Sequence, residues 1–309
     1  MELGIVLGAR CNAQCGHCAD GYGPGRSEAL PTQTILRLMD EAAAISAREA
    51  LGFAITGGEP FARFETLVEI VSHGASLGGA VSCVTNGYWA TTEALATARL
   101  SLLRHSGLTR LAVSVSRFHR QFVPLQRVRR ALAAAAAVGI PTTLKGAVLK
   151  SDLEPGGALA LWQQRLEADE VEIFPVLPYL RPGEALPDND YYRWPGLPRE
   201  PCPGELLTVD IDGTVRSCCS PGPPDEFLTV GHVPTPLREI ERHLHRSGRQ
   251  RILRERGPIA FARAAIAAGL GDHLRGAYAG PCDLCVHIRT DPSLRRVAEE
   301  MAAALDAET

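Results

Sequence analysis

The sequence has no apolar run approaching the ~20 residues of a membrane span. Residues 1–10 lack a basic start followed by an apolar stretch, so no secretory signal is expected. Positive charge is not in excess. The 32 Lys and Arg stand against 35 Asp and Glu, and a formal net charge of -3 argues against a dedicated nucleic-acid binder. Lysine is nearly missing, with only Lys145 and Lys150 in an arginine-dominated set, a bias that carries no function by itself. No internal repeat is found. These absences lead to the expectation of a cytoplasmic protein with no membrane and no nucleic-acid partner. The rest is ordinary globular usage: 309 residues, 45% hydrophobic and 22% charged. At ~150 residues per domain that length suggests about two domains, or one large domain with a small appendage.

Cysteine is the informative residue. The nine lie at 11, 15, 18, 83, 202, 218, 219, 282 and 285. A cytoplasmic chain of this size needs no disulfide staples. Thiols grouped in a reducing compartment point to metal or catalytic sites instead.

Short apolar runs alternate with amphipathic stretches through residue 178. Strands are expected at 3–8, 52–56, 80–85, 110–116, 142–149 and 171–176. Helices are expected near 32–50, 64–77, 92–105, 125–138 and 157–167. Pro31 suits a helix start, and Gly139 with Pro141 stops the alanine-rich helix. Six strands alternating with helices predict a parallel sheet with helices outside, either an open doubly wound sheet or a barrel. Residues 177–203, with seven prolines and several aromatics, read as a linker or a substrate-facing loop. Asp212-Gly213 between 206–211 and 214–217 predicts a hairpin. The remainder reads as mainly helical. Boundaries are expected at 1–200, 201–290 and a C-terminal helix over 291–309.

The first thiol group follows the first strand directly, as Arg10-Cys11-Asn12-Ala13-Gln14-Cys15-Gly16-His17-Cys18. Thiolates hold iron–sulfur clusters, usually four per cluster. Three ligands leave one iron open. A zinc site would need a fourth ligand, and His17 lies awkwardly between two others. Cys11-x3-Cys15-x2-Cys18 resembles the signature of the radical S-adenosylmethionine (SAM) superfamily. Thr56-Gly57-Gly58-Glu59-Pro60 resembles that family's SAM-binding turn, and Thr85-Asn86-Gly87 ends the third strand as in many members. The resemblance covers roughly residues 3–178.

That resemblance implies a partial (β/α)6 TIM-like barrel within the α/β class. It implies a [4Fe-4S] cluster on Cys11, Cys15 and Cys18, and SAM bound at the open iron. One electron then breaks a sulfonium bond of SAM, giving a 5′-deoxyadenosyl radical that takes hydrogen from an unactivated carbon. A reducing protein such as a flavodoxin or ferredoxin is the implied electron source. Gly57, Gly58 and Glu59 are the expected SAM contacts, with Glu59 accepting from its ammonium group. Ser116 stands where family segments often carry an acidic residue, so Ser114 is the expected ribose contact. Lys145 either meets the SAM carboxylate or snorkels at a strand end. His119 reads as an exposed loop histidine, and Cys83 as a buried small hydrophobe.

The second group has Cys202, ten residues, Gly213, four residues and Cys218, with Cys282-x2-Cys285 further on. It resembles the auxiliary-cluster extension called SPASM in its truncated form, twitch. The resemblance implies a second [4Fe-4S] cluster on Cys202, Cys218, Cys282 and Cys285, in a small domain of a hairpin plus helices. The alternative is a structural zinc site with the same four ligands. Cys219 is a ligand, a bystander or a hydrogen-atom donor, the last as in radical SAM epimerases. Residues 238–256 hold seven arginines broken by Glu239, Glu241 and Glu255, which reads as a solvated helix face.

Three functions are compatible with these residues. The favoured one is epimerisation or cross-linking of a ribosomal precursor peptide. The second is an aminocyclitol or sugar-alcohol dehydrogenase or epimerase. The third, a non-catalytic metal-binding scaffold, has no need of a ligand-facing glycine turn.

Overall fold

The computed structural model describes residues 1–202, 206–218 and 225–307. Six parallel strands stand side by side in chain order: β1 (Glu2–Val6), β2 (Gly52–Thr56), β3 (Ala80–Thr85), β4 (Leu108–Val115), β5 (Thr142–Val148) and β6 (Glu170–Pro175). The crossovers carry α1 (Thr32–Ile45), α2 (Phe64–Ser76), α3 (Glu93–Ser106), α4 (Leu125–Ala137) and α5 (Ala158–Arg165). This is the expected partial barrel. β2 and β3 alternate buried with less buried residues, so one face of each meets the core, while β6 at the sheet edge is largely exposed. Each helix turns one stripe inward; α1 buries Ile35, Leu38, Met39 and Ala42 at helical spacing. Local chemistry sets the ends. Thr92 accepts from the Leu95 amide at 3.2 Å to start α3, and Gly107 closes it at φ 105°.

Beyond β6 the chain forms β7 (Trp194–Pro195), β8 (Leu206–Val209), β9 (Thr214–Arg216) and β10 (Thr229–His232). Helices α6 (Leu237–Arg246), α7 (Gly248–Arg256) and α8 (Ile259–Ala267) follow. Last come β11 (Ala277–Tyr278), α9 (Pro281–Thr290) and α10 (Pro292–Ala307). The predicted hairpin is present as β8 and β9, but it is not confined to an appendage. β8 pairs in parallel with β1, Glu2 opposite Leu206 through Ile5 opposite Val209. One nine-stranded sheet therefore runs β10-β9-β8-β1-β2-β3-β4-β5-β6, continuous across residue 200. Val209, Val215, Leu237 and Ile240 belong to the same apolar core as Leu3 and Ile5. A second core gathers Phe227, Phe261, Tyr278, Leu284 and Leu294 among the last helices. No helix among the described residues is long and apolar enough to cross a membrane.

Candidate active site

The cluster loop leaves β1 and is closed on itself by backbone bonds. Cys11 N donates to Gly23 O at 3.1 Å, Gly23 N to Ala9 O at 3.2 Å, and Cys18 N to Cys15 O at 3.0 Å. Cys11 and Cys15 are buried and Cys18 is half-buried. Burial pushes the Cys11 thiol up to about 11 and the Cys15 thiol up to about 12, and raises Cys18. Such thiols stay protonated at neutral pH until a metal displaces the protons.

Against this loop lies the glycine turn after β2. Gly58 N donates to Gly8 O at 2.8 Å and Glu59 N to Arg10 O at 2.9 Å. A Cβ on Gly58 would stand 2.4 Å from Arg10 O, and one on Gly57 2.8 Å from Gly8 O. These glycines are thus already required by the close approach of two backbones, before any ligand is considered.

Glu59 is buried, and its carboxylate is engaged inside the protein. Oε1 accepts from Thr85 Oγ1 at 2.7 Å and from Phe61 N at 3.1 Å; Oε2 accepts from Asn86 N at 2.8 Å. Three of about four lone-pair positions are taken, leaving one toward the cavity. Burial raises its pKa to about 7 against those three donors. Asn86 also donates to Asn12 Oδ1 at 2.8 Å, tying the end of β3 to the cluster loop.

Ser114 and Lys145 sit opposite each other on β4 and β5 and border the same cavity. Lys145 Nζ is paired with Glu172 of β6 at 3.0 Å, which neither reading of that lysine anticipated. Ser116 is fully buried and bonds His119 Nδ1 at 2.7 Å. His119 is not the exposed loop histidine expected. Its ring packs edge-on to His17 at 4.9 Å, and burial lowers its pKa to about 3. Cys83 is fully buried, as expected of a small hydrophobe.

One cavity of about 340 Å³ is bordered by Cys11, Cys15, Cys18, the Gly57–Glu59 turn, Ser114, Lys145 and also Cys218. His17 Nδ1 is buried at its wall and has no hydrogen-bond partner among the described residues. Two buried thiols and a half-buried one, one open carboxylate position and an imidazole nitrogen form a donor set that fits a thiolate-bound cluster and a polar ligand beside it. Two cations of this wall had no local signal in the sequence. Arg216 of β9 is paired with Asp210 at 2.6 Å. Arg181, from the proline-rich segment, reaches back to the cluster loop.

The second thiol group also converges. Cys202, Cys218, Cys282 and Cys285 border one small cavity of about 40 Å³, brought there by the ends of β9 and α9. Among the described residues no three His, Cys, Asp or Glu side chains close on a point that would hold a single ion. Burial raises the Cys285 thiol, and the charges of its three companions raise it further. Cys219 lies outside the described residues. Of the arginine-rich stretch, Arg249 departs from a solvated face, stacking over the Phe227 ring at 4.9 Å.

A parallel α/β sheet with cofactor-binding groups on the loops after its strands defines an α/β enzyme with its site at the carboxyl edge. Residues 5–151, just under half of the chain, match the family described as the Radical SAM superfamily. The chain is 23% identical over 223 residues to YydG of Bacillus subtilis (strain 168), named for peptide biosynthesis, covering 71% of this chain and 69% of that one. It is 30% identical over 173 residues to a PqqA peptide cyclase of Methylocella silvestris, covering 53% of this chain and 44% of that one. Among solved structures, anSMEcpe with bound AdoMet superposes with a TM-score of 0.57 at 14% identity, over 99% of this chain and 98% of the other.

Proposed function

We propose that this chain is a radical SAM enzyme, using SAM and a [4Fe-4S] cluster, that it modifies a ribosomal precursor peptide by epimerisation or cross-linking, and that Cys202, Cys218, Cys282 and Cys285 hold an auxiliary [4Fe-4S] cluster. The supporting observation is a second cavity of about 810 Å³ that runs from His17 and Phe174 at the SAM site to Cys282. Its walls are Phe174, Pro175, Leu177, Trp194, Tyr278 and Pro281 among others, with few polar groups. An aminocyclitol carries a hydroxyl on nearly every carbon, and burying those against apolar walls leaves them unpaired. A peptide brings apolar side chains that such walls accept. The names of two sequence relatives, one for peptide biosynthesis and one a peptide cyclase, agree with this choice.

SAM bound beside a reduced cluster would supply a 5′-deoxyadenosyl radical able to abstract hydrogen from carbon. The chain's own residues bind and orient. Cys11, Cys15 and Cys18 hold the cluster. Gly57 and Gly58 bring backbone to the ligand, and Glu59 offers its remaining lone pair to the ammonium. Ser114 and Lys145 are the proposed contacts for the ribose and the carboxylate, Lys145 from within its pair with Glu172. Apolar walls exclude water from the reacting carbon. A flavodoxin or ferredoxin is the proposed reductant. In the epimerase form of this proposal Cys219 donates hydrogen, since it follows in the chain directly after Cys218, which borders the SAM cavity.

The test is turnover of a candidate precursor peptide in heavy water. Thiol hydrogens exchange with solvent, so epimerisation adds one deuterium and otherwise leaves the mass unchanged. Cys219→Ala then still releases 5′-deoxyadenosine but yields no epimer. A product lighter by two hydrogens, without deuterium and with Cys219→Ala fully active, selects cross-linking and rejects Cys219 as donor. Turnover of aminocyclitols but of no peptide overturns the proposal.

A further inference from the structure

The segment after β6 contacts both thiol sites within three residues. At one end Tyr179 lies against α9, the helix that bears Cys282 and Cys285. Its hydroxyl donates to Asp283 Oδ1 at 3.1 Å. Asp283 is fully buried between those two cysteines, where it also accepts from Arg275 at 2.6 Å and from Ala279 N at 2.9 Å. At the other end Arg181 is spent on the loop of Cys11, Cys15 and Cys18. Its backbone N donates to Gly16 O at 2.9 Å. Its guanidinium donates to Cys15 O at 3.3 Å, to Gly21 O at 3.1 Å and to Tyr22 O. Between the anchors stands only Leu180, packed into the apolar cluster that contains Cys11 and Cys15. Two residues of chain span at most about 7 Å, so the link is short and has little slack.

We propose that residues 179–181 form a strut that sets the two cluster sites in register, with Tyr179 and Arg181 acting as positioning residues rather than as catalytic ones. The proposal rests on the two-cluster reading above. A planar five-donor fork that engages three carbonyls of one loop fixes the path of that loop more tightly than a single contact can. Arg181 adds charge as well. Among the described residues no carboxylate lies within ion-pair distance of it. Its guanidinium instead lies against the loop that bears all three cluster cysteines. A cation beside a cluster of net negative charge favours the more negative, reduced state. Tyr179 of the strut, with Leu177 just before it, also forms part of the wall of the larger cavity. A substrate held there lies against the same segment that fixes both sites.

The experiment uses the full chain, reconstituted anaerobically, as wild type, Tyr179→Phe, Arg181→Lys, Arg181→Met and the double variant Tyr179→Phe/Arg181→Met. Three quantities are read: iron per chain, the midpoint potential of the SAM-binding cluster by EPR-monitored titration, and KM against kcat for SAM in substrate-free 5′-deoxyadenosine release. Lysine keeps the charge but loses the fork. Arg181→Lys therefore holds full iron and a near wild-type potential, while its KM for SAM rises about tenfold, the scale of a lost charged hydrogen bond. Arg181→Met shows the same rise in KM and a lower potential. Tyr179→Phe, altered at the far anchor, raises KM for SAM a few-fold with the potential unchanged. The double variant is no worse than Arg181→Met, because a strut released at one end no longer transmits the other.

Additive effects in the double variant, or a Tyr179→Phe protein with wild-type KM for SAM, would show two unrelated contacts and overturn the strut. If Arg181→Met loses iron, the KM-against-potential split in Arg181→Lys still decides. Wild-type protein with iron for one cluster only removes the auxiliary-cluster reading. The strut then stands or falls on the Tyr179→Phe result alone.

Discussion

Glu59 shows how one residue serves the fold and the site at once. Its carboxylate closes three donors from the loops after β2 and β3, yet burial holds its pKa near 7. The sign of the consequence follows from linkage. Below about pH 4.5 the carboxyl is protonated in both folded and unfolded chains. Between about 4.5 and 7 the unfolded chain releases its proton while the folded one keeps it, so stability falls as pH rises. The loss approaches an order of 3 kcal/mol at the upper end, at about 1.4 kcal/mol per pH unit. His17 and His119 act in the opposite sense. Burial holds them neutral, at about 4 and about 3, so their contribution is present above about 6.5 and is lost as pH falls. In the cluster-free protein, Tm followed from pH 4.5 to 8 should decline in wild type relative to Glu59→Gln, which carries no titrating group there. Parallel curves would refute the raised pKa. The sequence announced Glu59 through its glycine neighbours. It did not announce Arg181 or the burial of His119, because both are set by partners distant in the chain, the cluster loop in one case and His17 in the other.

At the scale of elements the sequence was most legible where local chemistry punctuates it. β2 and β3 begin and end where glycine, apolar alternation and turn residues put them, and the α3 start is written in Thr92. β4 begins at Leu108, two residues before the expected 110, because Leu108 pairs with Val81 past a register shift in β3. Helix α1 ends at Ile45 rather than 50, and a short 3-10 turn at Arg48–Ala50 completes the span. The glycine turn was legible as a motif but not in its cause. Gly58 faces the carbonyls of Ala9 and Arg10, backbone atoms fixed by the pairing of Arg10 with Gly23. Gly58→Ala is therefore expected to cost about 1–3 kcal/mol through overpacking that side chains cannot relieve. It should also displace the loop of Cys11 and lower cluster occupancy. Urea unfolding and iron analysis test this together. A variant with wild-type midpoint and full iron would show that the backbone has room to yield.

The whole molecule is organised by a contact that no local pattern encodes. β8 lies some two hundred residues beyond β1 in the chain, yet the two pair in parallel, so the strand that launches the cluster loop also carries the hairpin that delivers Cys218. At their contact Thr208 Oγ1 donates to Cys218 O at 2.8 Å. A Cβ on Gly4 of β1 would stand 2.9 Å from that hydroxyl oxygen and 3.5 Å from Thr208 Cα. Gly4 is thus the small residue that lets the first strand seat the second thiol site. The expected break at residue 200 misses this, since proline and aromatic content mark the linker 177–203 while the strand pairing that spans it leaves no mark in composition. Gly4→Val should push Thr208 aside and take the Cys218 carbonyl with it. Cys11 lies five residues beyond Val6, and its loop keeps its own backbone closure through Gly23. Reconstituted wild-type protein should hold about eight irons and Gly4→Val about four, those of the SAM-binding cluster. Slow 5′-deoxyadenosine release should persist in the variant while peptide product is lost. Loss of all iron would mean that β1 itself fails to form with valine present. Retention of all eight would mean that the route from Gly4 through Thr208 to Cys218 does not control the second site.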